Sequence, residues 1–353
     1  MQRKQTRIAA ALAAAFLIPL SSACGSAAKS GVAGAHTTIT SPGSSSTLVG
    51  AGSTLVAPLL TKWQGEYSAA NNVTVTYGAI GSGGGIQAIT DRTVDFGASD
   101  APLSPDQTSA CKGCVQIPWA VAATTLSYNL PGVSKLRLSG PVIEGMFAGK
   151  ITQWNDPQIA ALNPGVQLPS TRVVPVWRDD SSGDTYAFSS YLSAVSPQFK
   201  QKYGVSTLIN WPTGFGEKGN SGVAAGILQQ QGTIGYVAIG QAIGSKLHYA
   251  SVENAAGKFV TPATGSIAAA AATARFASDN SASIVDPPAS AKSAYPISTF
   301  TYVIVAKSSP KLAALQKFIR YAVTTGQQDA TALDFAPLPQ SVVAKDKAVI
   351  AKL

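Results

Sequence analysis

Short β-rich runs interleave with helix-like stretches along most of this chain, and few architectures accept that order. "VTVTYGAI" alternates Val73, Val75 and Tyr77, as a strand does when one face is buried. "TVDFGASD", "TTLSYNL", "RVVPVW", "TIGYVAI" and "TFTYVIVA" are further β-rich runs. Between them lie helical stretches such as "SPKLAALQKFIRYAV" and the alanine-rich "GSIAAAAATARFAS". Strands separated by helices predict an α/β fold with mostly parallel sheets. No fixed-period repeat is visible. At 353 residues the chain can hold two domains, and 45% hydrophobic against 12% charged lets each bury a core.

The N-terminus reads separately. "MQRKQTR" followed by "IAAALAAAFLIPL" is a basic segment and a short apolar one, so residues 1–23 form a secretory signal rather than a spanning helix. "LSSACGS" resembles a bacterial lipobox, in which Cys24 becomes lipidated and forms the new N-terminus. Leu20 sits four residues before Cys24 where the pattern usually has three, so ordinary cleavage near Ser21-Ser22-Ala23 is the alternative. Residues 24–46 are a Gly/Ser/Ala/Thr-rich tether that would let a folded body float off the membrane. This places the chain outside the cell as a lipoprotein on the outer face of the cytoplasmic membrane, held by its acyl chains.

Cysteine usage fits that compartment. Lipidation of Cys24 removes the odd one of three cysteines and leaves Cys111 and Cys114 in "CKGC". A redox Cys-x-x-Cys is one reading of the pair. The strand-to-helix setting of such a motif is missing, and Lys-Gly suits a turn, which predicts a structural disulfide. The formal charge of +9 falls to +6 once Arg3, Lys4 and Arg7 leave with the signal. A mild basic excess suits an anionic ligand or surface, and without a Lys/Arg cluster interleaved with aromatics it does not indicate nucleic acid.

Two segments mark crossing points between lobes. "YNLPG" (Tyr128 to Gly132) ends one β run with a Pro-Gly break, and "YPIST" (Tyr295 to Thr299) precedes another. Residues 47–129 plus 298–353 would then form one lobe and 130–297 the other. Ligands of open α/β sheets sit at the carboxyl ends of strands, so the cleft between the lobes is the expected site.

Three loop-to-helix junctions share an unusual composition. "GAGSTLVAP" carries Thr54 and Leu55, "AIGSGGG" carries Ser82, and "SSGDTYAFSSYL" carries Ser182 and Gly183. A helix N-terminus exposes unpaired N–H groups with a partial positive charge, and glycine lets an anion approach the main chain. Any one of them can be an ordinary capped helix. Three that converge on one cleft would offer an anion many neutral donors. Arg178 in "WRDDSSGD" adds a planar fork suited to tetrahedral oxyanions, with Asp180 placed to hold it. Asp100 ends "DFGASD", and alone it could be a loop acid or a cap. Aimed at an anion, a carboxylate is useful only if the anion carries a proton. Phosphate does near neutral pH, whereas sulfate does not and would be repelled.

"GAGSTLVAPLLTKW", "YGAIGSGGGIQAITDRTVDFGASDAPLS", "LNPGVQLPS", "GFGEKGNSGVAA", "GTIGYV" and "LPQSVV" together resemble the phosphate-binding receptors of bacterial high-affinity phosphate ABC importers, in order and over nearly the whole chain after the tether. The "SGDT" variant and the lipobox-like start resemble actinobacterial members. The resemblance implies a two-lobed periplasmic binding protein fold of the type II kind that closes on one inorganic phosphate and delivers it, as a monomer without cofactor or metal, to a membrane permease. Carried over by motif, Thr54 (hydroxyl and N–H), the Leu55 N–H, Ser82, Arg178, Ser182 and Gly183 would donate to the ligand, Asp100 would accept its proton, and Asp180 would steady Arg178. Two positions depart from the pattern. Leu55 replaces an aromatic, which matters little if only its N–H is used. Asp184 replaces a hydroxyl donor, and it either faces the ligand and favours H₂PO₄⁻ or faces solvent or caps the helix.

Catalysis is not expected. His36 lies in the tether, and His248 is the only other histidine. Metal-dependent phosphatases need several His and carboxylate ligands, and no Ser-His-Asp triad can be built from these two.

Overall fold

The computed structural model describes residues 46–353. The signal segment, nearly all of the tether and Cys24 lie outside the described residues. The described residues form one compact unit.

Strand and helix alternate strictly as far as β4 and less regularly after it. The first stretch runs β1 (Ser46–Gly52), α1 (Ala57–Asn71), β2 (Val73–Ala79), α2 (Ser82–Thr90), β3 (Phe96–Ser99), α3 (Pro105–Ala110) and the long β4 (Cys114–Tyr128). The middle holds β5 (Arg137–Leu138), α4 (Gly140–Phe147), α5 (Pro157–Leu162), β6 (Val174–Arg178), α6 (Gly183–Val195), α7 (Pro197–Lys202), β7 (Phe215–Glu217), α8 (Gly219–Gln229) and β8 (Thr233–Ala238). Next come α9 (Ile239–Gly244), β9 (His248–Tyr249), β10 (Ser251–Glu253), β11 (Phe259–Val260) and α10 (Thr264–Ala271). The chain closes with β12 (Ser298–Ala306), α11 (Leu312–Ala322) and α12 (Gln340–Ile350).

The main sheet has the strand order β2-β1-β3-β12-β4-β8-β6-β7. Strands at both ends pair in parallel: β1 with β2 and β3, and β6 with β7 and β8. Two antiparallel strands, β12 and β4, join these groups. β4 carries the connection, because its first part pairs with β12 as far as Ala123 and its remainder, from Thr124, pairs with β8. The partner change thus falls within β4, a few residues before the Pro-Gly break. Tyr295 bonds back to it through its hydroxyl, 3.1 Å from the Thr124 carbonyl.

Sequence patterning explains why the first part of β4 escapes a simple reading. It is buried on both faces, so no alternation survives, and Pro118 sits inside it. Proline lacks the ladder N–H, and the register shifts opposite it between Thr301 and Tyr302. α11 shows the contrary case. Leu315, Phe318, Ile319 and Ala322 recur at helical spacing and are the buried face of a helix readable from sequence.

Aromatic clusters anchor each end of the sheet. Trp63, Phe96, Trp119 and Phe318 meet near β1 and β3, and Phe147, Phe188, Trp211 and Tyr236 meet under β6 and β8. Each fully buried side chain of this size contributes about 1.5–3 kcal/mol of transfer free energy. Cys111 and Cys114 are disulfide-bonded around a tight turn in which Lys112 and Gly113 both have positive φ. The Arg92 guanidinium clamps that turn by donating to the carbonyls of Cys111 and Lys112, at 2.7 and 3.1 Å. Among the described residues no helix is long and apolar enough to cross a membrane.

Candidate functional site

Every motif residue singled out above lies at the carboxyl end of a strand or the start of the helix that follows. Thr54 and Leu55 link β1 to α1, Ser82 opens α2, and Asp100 follows β3. Arg178 ends β6, while Gly183 and Asp184 open α6 with Ser182 as N-cap. Within each parallel group the strands present their carboxyl ends on one side. The three antiparallel pairings through β12 and β4 make the two groups run in opposite directions, so those ends face each other and residues so far apart in sequence meet here. Three helix N-termini were expected. A fourth, that of α8, joins them through Asn220.

Asp100 is buried and held from several directions. Ser53 Oγ lies 2.6 and 2.7 Å from its two carboxylate oxygens, and Thr301 Oγ1 donates to Oδ1 at 2.7 Å. Ser82 Oγ lies 3.3 Å from Oδ2 and accepts from the Asp100 N–H at 3.2 Å. Burial, then the nearby Asp184 charge, pushes the Asp100 carboxyl up to about 7, against the Ser53 and Thr301 hydrogen bonds and the Arg178 charge. A group poised there exchanges its proton near neutrality.

Arg178 is only 1% exposed and is held by two carboxylates. Asp180 receives Nε and Nη2 as a fork at 2.6 and 2.5 Å, and the Gly219 N–H caps the same carboxylate at 3.0 Å. Burial alone would raise Asp180, yet Arg178 brings it below the usual carboxylate range. Asp184 accepts from Arg178 Nη1 at 3.0 Å, from Asn220 Nδ2 at 2.8 Å and from Thr124 Oγ1 at 2.7 Å. It is fully buried, so it does not face solvent. Burial raises its pKa, while Arg178, Thr124 and Asn220 oppose the shift. Burial disfavours the Arg178 charge, and Asp180 and Asp184 sustain it.

Two of the predicted backbone donors have partners within the protein. The Leu55 N–H donates to Ser53 Oγ at 3.0 Å, and the Gly183 N–H donates to Ser82 Oγ at 3.1 Å. Ser182 Oγ accepts from the Asp184 and Thr185 N–H groups, which leaves its own hydrogen to donate. The Leu55 side chain is in the core, so its apolar body takes no part in the site. Thr54 Oγ1 accepts from Asn220 Nδ2 at 2.8 Å. A cavity of about 520 Å³ opens onto Thr54, Asp180 and Asn220.

Close approach explains two glycines. A Cβ on Gly183 would fall less than 3.0 Å from three atoms of the Asp100 side chain. Gly81 has φ of +87°, and a Cβ there would strike the Asp180 carboxylate. The main chain on either side of the site can interlock only without those side chains; the Gly83 N–H donates to the Ser181 carbonyl at 3.0 Å.

Sequence reasoning passed over Ser53, Thr124, Asn220 and Thr301. Ser53 and Asn220 lie inside quoted motifs, beside the residues chosen. Thr124 and Thr301 are two among several hydroxyl residues in buried strands, and polar side chains in such apolar-rich runs were the available signal. Among the described residues no cluster of His, Cys, Asp and Glu could hold a metal ion.

A sheet handed from one half to the other by β4, with helix N-termini converging where the halves meet, defines a two-lobed binding protein of the periplasmic type. The PBP superfamily domain model matches residues 37–325. The Phosphate-binding protein PstS of Xylella fastidiosa (strain 9a5c) is 40% identical over 299 residues, covering 83% of this chain and 82% of the relative. Phosphate-binding protein PstS2 of Mycobacterium bovis (strain BCG / Pasteur 1173P2) is 33% identical over 292 residues, covering 78% and 79%. Among solved structures, the high-affinity periplasmic phosphate-binding protein PfluDING, bound with phosphate, superposes with a TM-score of 0.70 at 22% identity, covering 86% of this chain and 93% of that one. The chain belongs to the PBP superfamily and, within it, to the PstS family of phosphate-binding proteins.

Proposed function

We propose that this protein is a non-catalytic receptor that binds inorganic phosphate outside the cytoplasm and delivers it to the membrane permease of a phosphate ABC importer. The observation that carries the reading is the pairing of a buried, doubly held Arg178 with a buried Asp100 poised to exchange a proton. The phosphate-binding relatives support the same ligand.

Phosphate would sit between a lobe of residues 47–129 plus 298–353 and a lobe of 130–297. Thr54, Ser82 and Ser182 would donate through their hydroxyls, and Arg178 through its guanidinium with Asp180 behind it. The Leu55 and Gly183 N–H groups already point at hydroxyl oxygens, and phosphate oxygens would take over those bonds. Asp100 would accept the ligand's proton, which sulfate cannot offer. Asp184 would add a second acceptor and favour H₂PO₄⁻. The signal of residues 1–23, the tether of 24–46 and a lipid on Cys24 would hold a monomeric receptor at the outer face of the membrane.

Titration of the purified, phosphate-stripped protein tests the reading. Trp177, partly exposed beside Arg178, reports by fluorescence, with calorimetry as a second measure. Saturable binding at micromolar or lower phosphate, with no response to sulfate, is the expected result. Equal responses to both anions would make the site a general oxyanion receptor. Silence toward both would refute the ligand.

A further inference from the structure

Asn220 has no place among the ligand contacts proposed above, yet it is 2% exposed and its amide joins three elements of the site through Thr54, Asp184 and Ala238. The orientation of its amide is settled by one bond. The Ala238 N–H, at the end of β8, donates to Oδ1 at 2.7 Å, and only an oxygen can receive it. Nδ2 must therefore face the site with two hydrogens. One goes to Thr54 Oγ1 and the other to Asp184 Oδ2, each at 2.8 Å. No N–H remains for a ligand.

We infer that Asn220 is a positioning residue that latches the two halves of the cleft together and sets the proton arrangement of Thr54 and Asp184. The inference rests on the phosphate-receptor reading. Thr54 follows β1 in one half of the sheet, and Asn220 opens α8 in the other, so this bond crosses the cleft. It exists only while the halves are together, and release of a trapped ligand must break it. By occupying a lone pair of Thr54 Oγ1, Asn220 turns the hydroxyl hydrogen away from itself and leaves it to donate to the anion. By adding a donor to Asp184, it keeps that side chain an acceptor. The charged and titratable groups around Asp184 are Arg178 at the end of β6, Asp180 in the following loop, Asp100 across the site and Tyr236 on β8, the last through Arg178 and Thr185. Of these only Arg178 donates directly to it.

Stopped-flow fluorescence of the whole protein with inorganic phosphate separates this role from simple scaffolding. Asn220→Ala should speed phosphate dissociation about 10- to 100-fold, the cost of leaving a buried carboxylate oxygen and a hydroxyl short of a donor, with association unchanged within about twofold. Asn220→Asp keeps the oxygen that receives the Ala238 N–H but turns a carboxylate toward Asp184. Its affinity loss should be larger and should shrink as pH falls, because one of the two facing carboxylates then takes up a proton. Should Asn220→Ala fail to fold, Asn220→Ser carries the same kinetic test, since its short hydroxyl cannot span Thr54 and Asp184. Dissociation at the wild-type rate, slowing confined to association, or an Asn220→Asp loss independent of pH would each overturn the latch. Absence of phosphate binding by the wild type would instead overturn the receptor reading, and this inference with it.

Discussion

Replacing Asp184 by threonine restores the hydroxyl that the sequence pattern carries elsewhere, and its consequence can be worked from the charges. Arg178, Asp180 and Asp184 sum to one net negative charge, and an ionised Asp100 makes it two. At a separation of about 5 Å and an effective dielectric of about 20, one further ligand charge beside one net negative charge costs about 3 kcal/mol. That penalty equals roughly two pH units of protonation, since each unit is about 1.4 kcal/mol. The wild type should therefore take phosphate as H₂PO₄⁻. Above the second pKa of phosphate its Kd should rise about tenfold per pH unit, levelling after a total of about 100-fold. In Asp184→Thr the Arg178–Asp180 pair is neutral, so HPO₄²⁻ no longer meets that penalty, and the slope should drop below about threefold per unit. Removing the Asp184 charge also lets the Asp100 carboxyl fall, so the difference between the profiles reports Asp184 together with its hold on Asp100. Calorimetry from about pH 6 to pH 8.5, repeated in buffers of different ionisation enthalpy, gives both Kd and the number of protons exchanged. Parallel profiles would refute the reasoning.

Gly183→Ala forces a methyl group into the Asp100 carboxylate, which Ser53 and Thr301 hold in place. Phosphate affinity should fall at least about 100-fold while the melting temperature drops only a few degrees, since the strain, about 1–3 kcal/mol, stays local. Melting and titration of the same sample decide it; an affinity within threefold of wild type would mean the two elements can separate without loss. Asp346, on α12, is buried and both its oxygens lack hydrogen-bond partners, and burial pushes it up to about 8 with weak opposition from Lys345. Its folded pKa lies above the unfolded value, so ionisation costs nothing below about pH 4 and the cost grows until about pH 8. Asp346→Asn should therefore match the wild type near pH 4 and melt about 5 °C or more above it near pH 8. Equal melting temperatures near pH 8 would show that the carboxyl finds a partner when charged.

Much of the protein was legible in the linear chain because the relevant physics is local. The α/β class follows from strand-length and helix-length patterns, and α11 from one buried stripe of Leu315, Phe318, Ile319 and Ala322. The Cys111–Cys114 bridge follows from a turn sequence between two close cysteines. The anion-suited character of the loops at Thr54, Ser82 and Ser182 follows from glycine and hydroxyl content at helix starts, which needs no knowledge of what lies opposite. What the chain could not reveal depends on residues brought together from afar. Thr124 and Thr301 look like ordinary strand residues until they are buried against Asp184 and Asp100. Asn220 looks like one polar residue in a loop until α8 meets β1 across the cleft. Whether Asp184 faced water or the site was undecided in sequence, since the first turn of a helix offers both. Packing against β4 and β6 buried it, and burial made its charge matter, because a field that water would screen acts at close range in a dry cleft.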